Sequence, residues 1–143
     1  MINSFENYLK MGKAKRQTPD PEEASALLQQ AEERLEYTQG KALNAKTAKF
    51  VLEDAYEVMR ESAQSLMSLG GFKPYSHEAT ISFLKKFYGS TFPEEDIRAF
   101  DRFRQLRNDS VYRAAPVHEE DAKDCLVFAT LFVQKIKAKK QTI

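Results

Sequence analysis

The stretch Arg104-Gln105-Leu106-Arg107-Asn108-Asp109-Ser110-Val111-Tyr112-Arg113 holds the side chains of this chain best suited to chemistry. Arg104, Arg107 and Arg113 carry donor forks that match phosphate oxygens, and Asn108 and Tyr112 add neutral hydrogen-bonding groups. On a helix turning 100° per residue, Ile97, Phe100, Phe103, Leu106 and Val111 define an apolar arc, and Arg107 falls near its centre. A charge in that position is costly unless it is paired or opens onto a functional cleft. Glu53, Asp54 and Glu57 are candidate partners for a purely structural Arg107, and on the residues alone that reading is preferred. Arg107 and Tyr112 are five residues apart, so they point about 140° away from each other on an ideal helix. They act together only if the helix ends near Tyr112, or if a second protomer supplies the other half of the site.

Other catalytic and metal-binding patterns are missing from the sequence. Neither His77 nor His118 has a Glu three residues before it, and no His-Glu-x-x-His helix occurs. Gly70-Gly71 lacks the spaced glycines and the Lys-Ser/Thr of a phosphate loop. A lone cysteine, Cys125, can build neither a structural zinc site nor an internal disulfide. It reads as a small buried hydrophobe in a reducing cytoplasm. No metal and no cofactor is expected. His77 and His118 both read as ordinary helix-start residues.

The elements that must position these groups are marked out by the breakers. Gly12, Gly40, Gly70, Gly71 and Gly89, with Pro19, Pro21, Pro74, Pro93 and Pro116, all fall between stretches of helical periodicity. Both residue types are penalised inside helices, so their placement argues for long helices. Residues 22–38 carry the stripe Ala24, Leu27, Leu28, Ala31 and Leu35, and residues 45–69 carry Ala48, Val51, Leu52, Ala55, Met59, Ala63 and Leu66. Ser76 caps a helix through Tyr88, apolar at Ile81, Phe83, Leu84 and Phe87. Further helices span 94–112 and 118–139, and residues 3–11 suit a short one on Phe5, Tyr8 and Leu9. No segment alternates with period 2, so strands are not expected.

The resulting fold class is all-α, a four-to-five-helix up-and-down bundle over residues 21–143, preceded by an N-terminal arm over residues 1–20. The last helix adds a hint about assembly. Its stripe is Ala122, Cys125, Leu126, Ala129, Phe132, Val133 and Ile136, yet Val127, Phe128 and Leu131 lie on other sides. A helix apolar nearly all round is either central or part of a subunit interface, and the interface is favoured.

Composition bounds the function. With 143 residues, 42% of them hydrophobic, the chain fits one domain with its own core. No apolar run approaches the length a bilayer requires, and the first residues lack the apolar core of a secretory signal. A net charge of +1 gives no bulk attraction to nucleic acid or membrane. The basic head Lys10, Lys13, Lys15 and Arg16 could touch phosphate but reads first as a solvated tail.

Arg107-Asn108, followed after three residues by Tyr112, resembles the Arg-x4-6-His motif of HEPN domains (higher eukaryotes and prokaryotes nucleotide-binding). The order of features around it is similar too. A long helix ends at Gly70-Gly71, Ser76-His77-Glu78 opens the next, and Glu119-Glu120-Asp121-Ala122 leads into an apolar last helix. The resemblance covers roughly residues 22–139. It implies a homodimer whose two motifs meet in a cleft between protomers, often partnered by a small nucleotidyltransferase in a toxin–antitoxin or defence module. In active, metal-independent ribonucleases of the family, the Arg holds the scissile phosphate and the His assists proton transfer. Asn108 would orient the site. Here Tyr112 stands in the His position, and a phenol titrating near ~10 is a poor base at neutral pH. Tyr112 can still donate a hydrogen bond to phosphate, so binding of RNA or nucleotide survives the exchange better than cleavage does. Three readings follow: a binding module, an active endoribonuclease, and a helical adaptor that binds no nucleic acid.

Overall fold

The fold comes from a computed structural model that describes residues 2–142. Its elements are α1 (Phe5–Lys10), β1 (Ala14–Arg16), α2 (Pro21–Gln39), α3 (Ala48–Gly70), β2 (Phe72–Pro74), α4 (His77–Phe87), α5 (Glu94–Arg113) and α6 (Glu119–Lys140). The helices begin and end where the breakers and caps place them. Asp20 and Ser76 accept hydrogen bonds from the backbone N–H groups of Glu23 (2.9 Å) and Ala79 (3.1 Å). Lys137, Lys139 and Lys140 close α6, where cations suit the dipole.

Helix α3 is the axis of the molecule. It packs against α2, α4, α5 and α6, and the whole stripe from Ala48 to Leu66 is buried. Removing a side chain such as Leu52 from a core like this costs about 2–5 kcal/mol. Thus α3, not α6, is the central helix. The predicted stripe of α6 is buried against α3 at Ala122, Cys125, Ala129, Phe132, Val133 and Ile136, while Val127 and Leu131 are exposed. Cys125 is buried with its Sγ 4.0 Å from Met59 Sδ, and burial pushes its thiol pKa up, away from nucleophilic use.

Two expectations need correction. The N-terminal arm is not a solvated tail, and strands do occur. β1 pairs antiparallel with β2 in the register Ala14↔Pro74, Lys15↔Lys73 and Arg16↔Phe72. Phe5 and Tyr8 of α1 are buried, and the Phe5 ring meets Phe72 at 5.1 Å and Phe83 at 5.6 Å, both edge-on. Gly71 makes the junction possible. It caps α3 in the left-handed region at φ 84°, and a Cβ there would come within 2.9 Å of the Gln17 carbonyl oxygen. That carbonyl lies close because the Gln17 N–H donates to the Gly71 carbonyl at 2.9 Å.

Candidate phosphate-binding site

The site lies in the last two turns of α5, where the helix faces the middle of α3 and the start of α4. Ile97, Phe100 and Phe103 anchor the earlier turns in the core. Leu106 is half-buried and Val111, expected on the same arc, is exposed, so the apolar face ends before the motif does. Arg107 sits at that boundary, half-buried.

Its surroundings bear on the two readings of a charge on an apolar face. No carboxylate pairs with Arg107 among the described residues; Asp54 is engaged by Arg34, and Glu57 by Arg60. The structural pairing preferred from sequence is absent. Instead, Arg107 Nη1 donates to Asn108 Oδ1 at 3.2 Å and makes a long contact of 3.5 Å with the Tyr112 hydroxyl. Its guanidinium lies 5.6 Å from the centre of the Tyr112 ring and 6.0 Å from that of Tyr56. Helix α5 ends at Arg113, one residue past Tyr112, which is the condition under which Arg107 and Tyr112 can meet within one chain. Both side chains are long, Tyr112 lies in the terminal turn, and together they span the separation that the helix imposes.

Two residues that sequence reasoning passed over complete the cluster. Tyr56 is fully buried in α3, edge-on to Phe100, and its hydroxyl lies 3.0 Å from His77 Nδ1. Among the described residues that imidazole is the only hydrogen-bond partner of the phenol. The pair shares one hydrogen bond, which gives the buried hydroxyl its partner. Burial lowers the His77 pKa from its ordinary 6.5, and the charges of Arg107, Arg60 and Arg104 lower it further against a weaker pull from Glu57. Burial likewise drives the Tyr56 pKa upward, with Arg104 and Arg107 opposing. At neutral pH both groups are uncharged, and the local charge is positive. Tyr56 could have been found from spacing, since Leu52, Tyr56 and Met59 share one stripe; His77 gave no signal beyond following its cap.

The remaining candidates stand apart in their availability. Arg104 is mostly buried and already engaged, 2.8 Å from Asp101 and 3.8 Å from Glu78. Arg113 is four-fifths exposed and only loosely paired with Asp109 at 4.0 Å. His118 is exposed at the start of α6, as expected. The hydroxyl of Ser110, one turn beyond Arg107, is buried without a partner among the described residues. Among the described residues no three His, Cys, Asp or Glu side chains gather into a metal site, and no helix is long and apolar enough to cross a membrane.

Fold and site together define a small all-α bundle with an arginine-centred polar cluster near the end of its penultimate helix. The chain matches the HEPN domain family over residues 24–139, most of its length, and it belongs to that family. Membership points in general to a nucleotide- or RNA-related role. No curated protein matches the chain.

Proposed function

We propose that this chain is a homodimeric HEPN module that binds the phosphate of RNA or a nucleotide at Arg107. The carrying observation is that Arg107 is half-buried without a carboxylate, held by an amide and two tyrosine rings. A cation so placed keeps its charge-assisted hydrogen bonds for an incoming anion. Tyr112, 73% exposed, can donate to the same phosphate, and Arg113 can approach from solvent. Val111, Val127 and Leu131 are exposed apolar residues on α5 and α6 and suit the subunit interface of a dimer with an inter-subunit cleft. A small nucleotidyltransferase is the partner in this reading, and a toxin–antitoxin or defence module its setting.

His77 favours a second reading, metal-independent RNA cleavage. Its neutral imidazole, oriented by Tyr56, brings to the cluster a group of the type that Tyr112 fails to supply. The test compares wild type, Arg107→Ala and Tyr112→His on single-stranded RNA in EDTA, alongside light scattering. A binding module gives a particle of twice the 16.4 kDa chain mass, RNA or nucleotide binding that Arg107→Ala removes, and cleavage only in Tyr112→His. Cleavage by wild type that Arg107→Ala abolishes selects the second reading. A monomer that binds nothing leaves the adaptor.

A further inference from the structure

We propose that the two-stranded ribbon of β1 and β2 is a track for single-stranded RNA, leading the strand to the Arg107 cluster. This inference rests on the RNA reading above. Its basis is the face the ribbon turns to solvent. Alternate residues of a strand share a face, and directly paired residues point the same way. Lys73 and Tyr75 therefore share a face with Lys15, which is paired with Lys73. One further step of the register sets Lys13 opposite Tyr75, whose N–H donates to the Lys13 carbonyl at 2.7 Å. Ala14, between them, points inward and is buried.

Like charges directly opposed across an antiparallel pair destabilise it. Lys15 and Lys73 nevertheless face each other, and neither has an ion pair among the described residues. The acids on flanking helices are engaged elsewhere: Glu6 of α1 with Lys86, and Glu78 of α4 with Arg104. Both ammonium groups instead lie 5.8 Å from the centre of the Tyr75 ring, which is half-exposed. An exposed aromatic ring flanked by unneutralised lysines is the arrangement that holds an unpaired strand, with phosphates on the cations and a base on the ring. A duplex offers no free base face, so the single strand is the fitting occupant. Position supports the assignment. Tyr75 precedes Ser76 and His77, so about 7 Å of extended chain separates the ribbon from the imidazole bound to Tyr56.

Fluorescence anisotropy with a labelled dinucleotide and with a single-stranded RNA of about 12 nucleotides tests this. The Lys15→Ala/Lys73→Ala double variant removes a repulsion, so its melting temperature should be unchanged or higher. It should bind the dinucleotide as wild type does, bind the longer RNA more weakly, and reduce its salt slope by about 1.4, or 0.7 per phosphate contact. Tyr75→Ala should weaken the longer RNA about tenfold, whereas Arg107→Ala should weaken both ligands. If the double variant keeps wild-type affinity and slope for the longer RNA, the track is refuted while the Arg107 site stands. If the ribbon variants weaken the longer RNA and Arg107→Ala does nothing, the track stands and the Arg107 site falls. A wild type that binds neither RNA refutes both, and one that binds phosphatidylserine vesicles through these lysines instead makes a membrane surface the partner.

Discussion

Arg34 and Arg107 both hold a charge against the bundle, and they are satisfied in opposite ways. Arg34, on α2, places Nε 2.8 Å from Glu61 Oε1 and Nη1 3.4 Å from Asp54 Oδ1. Glu61 is buried in α3 and also accepts from Gln30. The Arg34 pKa rises: burial works against its charge, but the hydrogen bond and charge of Glu61 outweigh that. Arg107, on α5, meets among the described residues an amide and two phenol rings and no carboxylate. The difference teaches how to sort buried cations by role. An arginine enclosed by carboxylates is spent on the fold, because its donors already have anions. An arginine enclosed by neutral groups keeps donors without an anion, and for that reason Arg107 is the residue proposed to bind phosphate.

Three measurements press on this contrast. The largest effect is expected from Arg34→Ala, which strands the Glu61 carboxylate in the core with only Gln30 to bond it. Urea unfolding should show a loss of about 3 kcal/mol, less than the full cost of a broken buried pair because Arg34 itself is partly exposed. A change below about 0.5 kcal/mol would remove the structural half of the comparison. Arg107→Ala should be the mirror image. Its stability should stay within about 1 kcal/mol of wild type, while phosphate-ligand affinity falls by about 1.5–3 kcal/mol, the worth of charged hydrogen bonds. Loss of stability with unchanged affinity would make the two arginines alike.

The smallest effect concerns pH. Because the folded pKa of His77 lies below 6.5, the unfolded chain takes up the proton first. Stability should thus be complete above 6.5 and decline as pH falls from there toward the lowered native pKa, by at most about 1.4 kcal/mol per pH unit for one proton. His77→Gln should flatten that decline. Arg107→Ala should move the His77 pKa upward in an NMR titration, since Arg107 is the leading charge opposing its protonation. An unmoved pKa would separate His77 from the cluster.

The helices were legible because apolar spacing and breakers agree. The stripe of α3 is buried from Ala48 to Leu66, as its 3.6-residue period requires. The ribbon was not legible, because three-residue strands are too short to display a period of 2, and what fixes them lies across the chain at Gly71 and Phe72. Val111 shows the limit of stripe counting: it continues a pattern past the point where a neighbouring helix covers it. At the site, the sequence marked Arg107, Asn108 and Tyr112 as a group. It could not reveal that Asp54 was committed to Arg34, since that choice depends on which helix faces which, whereas the i,i+3 spacing of Glu57 and Arg60 on one helix already allowed their pair. Nor could it pair Tyr56 with His77, twenty-one residues apart and joined only by packing.

The ribbon also sets a timetable for synthesis. Ala14 and Pro74 are separated by about sixty positions, so at ~5–20 residues per second the arm leaves the ribosome ~3–12 s before its partner strand is made. Closing so long a loop is favourable only after α2 and α3 have folded back on each other and drawn its ends together. The earlier-made strand is thus seated late, and until then Phe5 and Tyr8, later buried, stay open to solvent.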